Sequence, residues 1–356
     1  MSHIYTMQDF QVAQELSQLA RQTPIPVNFL YPQLFPEVSI RSRTFTWRRN
    51  LPKIWMAPFH AESAPVPQLP RRDIEFNEGT LGNIGIERTL RSEQIVDAAL
   101  AGELNNVDTE DVQDLVQAIR GTFEYLSMQA LTNGEVDISN DRGVNFTLDF
   151  GEFGVDTTPN DDWDDYDNAV PINDIYAWSE EIKAITNYYP AAYLTSQAQV
   201  NNIIQCTSVK ELVWGWASAV GMVSLRQVNA LLAEVYNLPP ILVYDQQITQ
   251  VDFSDDSESS VRTSNEYAFI GLPPLELSPQ AGAIVTGITP EAAVAYTDVS
   301  QNLDAFAEGI WVDVMVQRQP TVRRTIRAKA NAIPAFPYIG QTMRAVVASE
   351  EEEQPT

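Results

Sequence analysis

Apolar residues recur at three- and four-residue steps through the second hundred positions: Val112, Leu115, Val116, Ile119, Phe123, Leu126 and Ala130 form one stripe. Gln113, Asp114, Gln117, Arg120 and Glu124 lie off it. The spacing predicts a long amphipathic helix over 108–133. Asp108 or Thr109 would cap it, Glu110 and Asp111 would sit at the positive end of its dipole, and Asn133-Gly134 would stop it in a left-handed turn. Gly121 is its soft position, because Gly inside a helix costs up to about 1 kcal/mol relative to Ala. The period then changes to two. Segments 135–138 and 144–150 alternate around Ser139-Asn140-Asp141-Arg142-Gly143, so a β-hairpin follows the helix.

Upstream, Val12, Leu16 and Leu19 make 9–21 weakly amphipathic, which reads as an arm, not a core helix. Pro24, Pro26, Pro32 and Pro36 punctuate an aromatic run suited to lying extended against another surface. From 38 to 80 the composition turns basic: Arg41, Arg43, Arg48, Arg49, Lys53, Arg71 and Arg72 interleave with Phe45, Trp47, Trp55 and Phe59. Positions 39–47 alternate as a strand, while Pro58, Pro65, Pro67 and Pro70 exclude a central strand and favour an extended tip. Such a two-stranded excursion needs a partner surface; a plain surface hairpin is the alternative. Positions 77–85 read as a flexible joint and 87–101 as a shorter helix, broken by Gly102 and Asn105-Asn106.

The densest acidic stretch carries Asp149, Glu152, Asp156, Asp161, Asp162, Asp164, Asp165 and Asp167 without a basic residue. Calcium is the chemistry it suggests, but the central Gly and closing Glu of a helix-loop-helix site are missing. A solvated loop, or one facing arginines on a neighbour, fits better. Positions 171–298 read as an α/β unit. Ile172, Ile175, Trp178, Ile182 and Ile185 mark one helix, 196–204 and 224–236 two more, and 191–194, 241–244, 267–271 and 282–287 strands, with a polar hairpin at 246–263. Then 309–317 and 343–348 read as strands expected to pair with the hairpin at 135–150, leaving 171–300 as an insertion. The tail 349–356 is too charged to pack and is expected to be disordered.

The chain has 356 residues, 44% hydrophobic, enough for two domains or one large elaborated one. A formal charge of -26 argues against a surface that grips nucleic acid. One cysteine, Cys206, excludes a disulfide framework, and two histidines, His3 and His60, leave little for zinc or triad chemistry. No apolar run approaches the roughly 20 residues that span a bilayer, and no phosphate loop, GxSxG or HExxH occurs. Trp214 and Trp216 suggest a ligand platform, although packing is the commoner use of such aromatics. No catalytic residue, cofactor or resident metal is expected, and the chain does not read as an enzyme.

In their order, these parts resemble the tailed-bacteriophage major capsid protein, the Hong Kong 97-like fold, in its lambda-like major head protein (capsid protein E) branch. The likeness rests on IRSRTFTW at 40–47, NEGTLGNIGIERTLRSEQIVDAALAGE at 77–103, ALTNGEVDIS at 130–139, Trp163 with PINDIYAW at 171–178, and GAIVTGITPEAAVAYTD at 282–298. It implies an α+β fold: N-terminal arm 1–37, extended loop 38–80 lying over a neighbour, a peripheral domain from 81–170 and 299–348 with the spine helix, and an inserted α/β axial domain 171–298. Hexamers and pentamers would form an icosahedral shell enclosing double-stranded DNA without sequence-specific binding. The virion would be assembled in the host cytoplasm, with a portal and a decoration protein as further partners. The inter-subunit residues would be Arg41, Arg43, Trp47, Arg48, Arg49, Lys53, Trp55, Arg71 and Arg72. Lys53 is the one lysine in this loop and no acid catalyst accompanies it, so the cross-link of some family members is not expected. No long helical leader precedes the arm, which implies a separate scaffolding protein. The rivals are an encapsulin-like compartment that encloses proteins, a metal-dependent hydrolase using the 149–167 carboxylates, and a sugar-binding module.

Overall fold

A computed structural model of the chain describes residues 6–48, 76–102, 104–140, 144–215, 221–252, 257–274, 280–302, 308–318 and 321–348; the acidic tail lies outside them. The apolar stripe is one continuous helix, Leu104–Asn133. It begins ahead of the expected cap at Asp108, because that carboxylate is engaged side-on by Arg324, at 3.0 and 2.5 Å. Asn105 and Asn106 therefore lie inside the helix. Its end is as expected: Gly134 adopts φ 75°, and a Cβ there would stand 2.7 Å from Phe153. Glu135–Asn140 and Val144–Asp149 form the hairpin, which pairs with no other strand among the described residues. The late strands do not join it. Ile310–Gln317 pairs with Arg323–Ala335, and Met343–Val346 with Ala268–Gly271 and Val155–Thr157.

The chain divides into two compact units, with the boundary inside the long helix. The first comprises Met1–Phe45, Glu78–Met128 and Gly282–Ala335. Its sheet is organised by one strand, Arg323–Ala335. Gly82–Arg91 runs antiparallel along one edge, while Ile310–Gln317 and then Ala283–Gly287 share the other. Glu37–Ser39 adds a parallel edge to Ala283–Gly287. The joint and the start of the expected helix at 87–101 are thus strand, and the helix is only Ser92–Ala101. The signal was there: Ile84, Ile86, Arg88 and Leu90 alternate, and Arg88 turns to Asp111 and Asp114 of the long helix at 2.7 and 2.8 Å. Likewise 283–287 belongs to this sheet, not to the α/β unit of the sequence reading.

The amino-terminal segment is no free arm. Met7–Gln22 is a helix with a reciprocal Thr6/Asp9 capping box and buries Phe10, Ala13, Ser17 and Ala20. Phe10 meets Tyr296 edge-on with centroids 4.8 Å apart, and Ser17 Oγ accepts from the Val312 amide at 3.0 Å. Two charged residues of the long helix hold the end of this helix and the segment after it. Arg120, buried, donates to the carbonyls of Thr23 and of Ala20, closing the carboxyl end of the first helix. Glu124, fully buried, accepts the amides of Leu30 and Tyr31 at 3.0 and 2.8 Å. Tyr31 and Phe35 are consequently core side chains, and burial pushes the Tyr31 phenol well above its ordinary pKa. An arginine and a glutamate assigned by periodicity to the wet face are inside because the backbone ends they satisfy are inside.

The second unit comprises Thr46–Asn77, Gln129–Ala281 and Phe336–Thr356. Its sheet runs Val155–Thr157, Met343–Val346, Ala268–Gly271, Tyr193–Thr195, Ile241–Val243. Helices Pro171–Thr186, Gln197–Gln205, Thr207–Trp214 and Leu225–Val235 supply the core with it. Trp163 is the keystone of that core. Its ring lies 5.9 Å from Trp178 and 5.2 Å from Phe269, its indole N–H donates to Asp174 Oδ2 at 3.1 Å, and its amide donates to Val347 at 2.8 Å. Cys206 is buried beside it and its thiol is pushed up to about 12 by burial.

Glu124→Leu leaves two buried amides without their acceptor and is expected to lower stability by about 3 kcal/mol, read from the shift in the urea unfolding midpoint. Cys206 is expected to resist iodoacetamide at pH 8 in the native chain and to react once the chain is unfolded, which mass spectrometry would score.

Candidate subunit interface

The basic segment starts from the sheet edge. After Glu37–Ser39 the chain leaves the first unit's sheet and re-enters regular structure at Thr44–Arg48, which pairs with Phe76–Thr80 as a separate two-stranded ribbon. The excursion thus leaves from and returns to a common base. Arg41, Arg43 and Arg48 are exposed on it. Arg41 carries an internal partner, its Nε lying 2.9 Å from Glu308, although its side chain keeps 68% exposure. Trp47 departs from expectation: it is buried, with its ring 6.0 Å from Phe150. Strand alternation turns Trp47 inward while Arg48 faces water, so Trp47 packs at the base of the excursion. Arg49, Lys53, Trp55, Arg71 and Arg72 lie outside the described residues.

The acidic stretch is a turn-rich loop fastened by its one tryptophan. Its carboxylates serve separate local ends. Asp156 takes Arg344 side-on at 2.8 and 2.6 Å. Asp165 accepts from the Asn168 side chain at 2.8 Å and from the amides of Asp167 and Asn168, which holds it below its usual pKa. Asp174 is raised by burial, partly offset by the Trp163 indole. Asp161, Asp164 and Asp167 point to solvent. Among the described residues no group of three or more His, Cys, Asp or Glu side chains is arranged to hold an ion, and no helix is long and apolar enough to cross a membrane.

Trp214 is exposed, and Trp216 lies outside the described residues. An open groove of about 440 Å³ is lined by Lys183, Tyr189, Asn237 and Pro239. The Lys183 ammonium already donates to Tyr189 at 2.8 Å and to Glu180 at 3.3 Å. The sequence reading missed a different surface. Helix Ser92–Ala101 buries none of its residues, and beside its start Val316, Arg318, Val322, Arg323 and Arg91 are all exposed. The available signal was that Val96, Ala99 and Leu100 lie off the side that Ile95 and Ala98 turn towards the sheet.

The family profile for phage major capsid protein E matches residues 13–335. The chain belongs to the phage major capsid protein E family. Its structure is similar to that of the proposed capsid protein of a prophage of Escherichia coli CFT073, with 12% identity over 98% of this chain and 100% of that one and a TM-score of 0.59. A phage-related protein from Bordetella bronchiseptica RB50 gives 11% identity over 94% and 97%, with a TM-score of 0.56. No curated protein matches the sequence. At these identities the structures establish the shared capsid fold, and the family match establishes a major capsid protein of the phage virion.

Because no three carboxylates among the described residues converge on one point, titrating Ca²⁺, Mg²⁺ or Mn²⁺ into the chain is expected to release no saturable heat in calorimetry.

Proposed function

We propose that this capsid protein assembles as hexamers and pentamers into an icosahedral shell around double-stranded DNA. The basic excursion from 38 to 80 lies over a neighbouring copy. One observation carries this reading: Arg43 and Arg48 are exposed, on a ribbon held at its base by buried Trp47, in a chain whose formal charge is -26. Positive charge held out from an acidic body is complementary to the body of the next copy. Arg49, Lys53, Trp55, Arg71 and Arg72 extend the same contact. In this reading the first unit is the peripheral domain and the α/β part of the second is the axial domain at five- and six-fold centres. A separate scaffolding protein, a portal and a decoration protein complete the head in the host cytoplasm. The packaged DNA is enclosed without sequence-specific contacts, and the subunit has no catalytic role and no cofactor.

Arg43→Glu with Arg48→Glu is expected to leave a folded chain, by circular dichroism and melting, that yields no closed particles in negative-stain microscopy. Particles at the wild-type yield would remove the excursion from the contact.

A further inference from the structure

Ten residues of helix without a buried side chain are hard to sustain alone, since short helices owe their stability to packing. Ser92–Ala101 is such a helix, with Val96 54% and Leu100 82% exposed. It is fastened at its start, where Ser92 Oγ donates to the Val322 carbonyl at 2.8 Å. At that same point Arg91 and Arg323 stand directly opposite each other in antiparallel register, like charges that repel. Gln317 flanks Arg323 on the other edge, and Arg318 follows it. Among the described residues no carboxylate is paired with Arg91, Arg318 or Arg323. Arginine beside exposed aliphatic side chains is the composition of a protein contact; a surface for phosphates alone has no use for Val96, Leu100 and Val322.

The complement is carried by the chain itself. In the second unit Asp161, Asp164 and Asp167 are exposed around Tyr166 and Val170, each 38% exposed. The loop that bears them is held in shape by buried Trp163 and by the Asp165 turn. It is acidic and apolar where the other corner sets Arg91, Arg318 and Arg323 beside Val96, Leu100 and Val322, with Glu93 and Asp97 exposed on the same helix.

We propose that the corner formed by Arg91, Arg318, Arg323 and helix Ser92–Ala101 docks onto the 161–170 loop of a second copy. The two surfaces differ, so the contact is head-to-tail and repeats from copy to copy, closing a ring or shell when the rotation allows. It rests on the shell reading above and adds a second surface to the basic excursion.

Two variants test it together. One carries Arg91→Glu, Arg318→Glu and Arg323→Glu; the other carries Asp161→Arg, Asp164→Arg and Asp167→Arg. All six positions are exposed, and circular dichroism checks that both chains fold. Each variant alone sets like charges against each other in the contact, so sedimentation is expected to show association weakened by about tenfold or more. In an equimolar mixture the acidic corner of one meets the basic loop of the other and the reverse, and association is expected to return to the wild-type level. Wild-type association by either variant alone, or a mixture no better than its components, overturns the proposal. Binding of a short DNA duplex that the first variant loses, with association unchanged, also overturns it. Sedimentation separates small oligomers from closed shells. Association specific to the mixture without shells would leave the contact standing and sink only the shell reading.

Discussion

Arg120 and Glu124, one turn apart on the long helix, carry the heaviest constraint in the first unit. A buried guanidinium closes the carboxyl end of the first helix, and a buried carboxylate closes the amides of the segment after it. Removing charge from water is costly unless its polar atoms are met; here backbone carbonyls meet both terminal nitrogens of Arg120, leaving its Nε without a partner, and backbone amides meet both oxygens of Glu124. The amino-terminal segment is therefore held against the long helix, bringing Phe35 and the strand Glu37–Ser39 to the sheet edge. The basic excursion starts from that strand, so its origin is set by a buried charge network far along the sequence.

Charge is used in two ways in this molecule. Inside the first unit, Arg324 with Asp108 and Arg327 with Asp313 are bidentate pairs, Lys329 meets Glu291, and all three cations lie on one strand, Arg323–Ala335. They fix the sheet to the elements packed on it. Outside, Arg43, Arg48, Arg91, Arg318 and Arg323 are exposed on a chain with 22 basic against 48 acidic residues. A lone acidic protein would gain little from displaying its scarce cations in groups. A subunit that must recognise further copies of itself gains orientation and partner choice from them.

Much of this was legible before any coordinates. The long helix, its Gly134 stop and the hairpin behind it follow from periods of 3.6 and two. The helices at 171–186 and 225–235, the polar hairpin and most strands of the second unit follow from the same rule. The candidate contact was legible as chemistry, basic and aromatic residues in an acidic chain, but not as geometry. Trp47 and Arg48 look alike as interface residues, yet one is core and the other surface. The strand Gly82–Arg91 was hidden because its last residues run on into a helical pattern. Arg323–Ala335 was hidden because alanines and cations are poor strand formers, and only burial of the one face that carries Ala328, Ala330 and Ala332 makes those alanines fit.

By itself the sequence determined the local periods, the turn and cap positions and the segregation of basic from acidic stretches, because these depend on neighbours within a few residues. Tertiary structure alone decided which strands share a sheet, why Arg120 and Glu124 are buried, and that helix 92–101 buries none of its residues. Those outcomes depend on the pairing of backbone segments hundreds of positions apart, and on which surface is left over once those pairings are made.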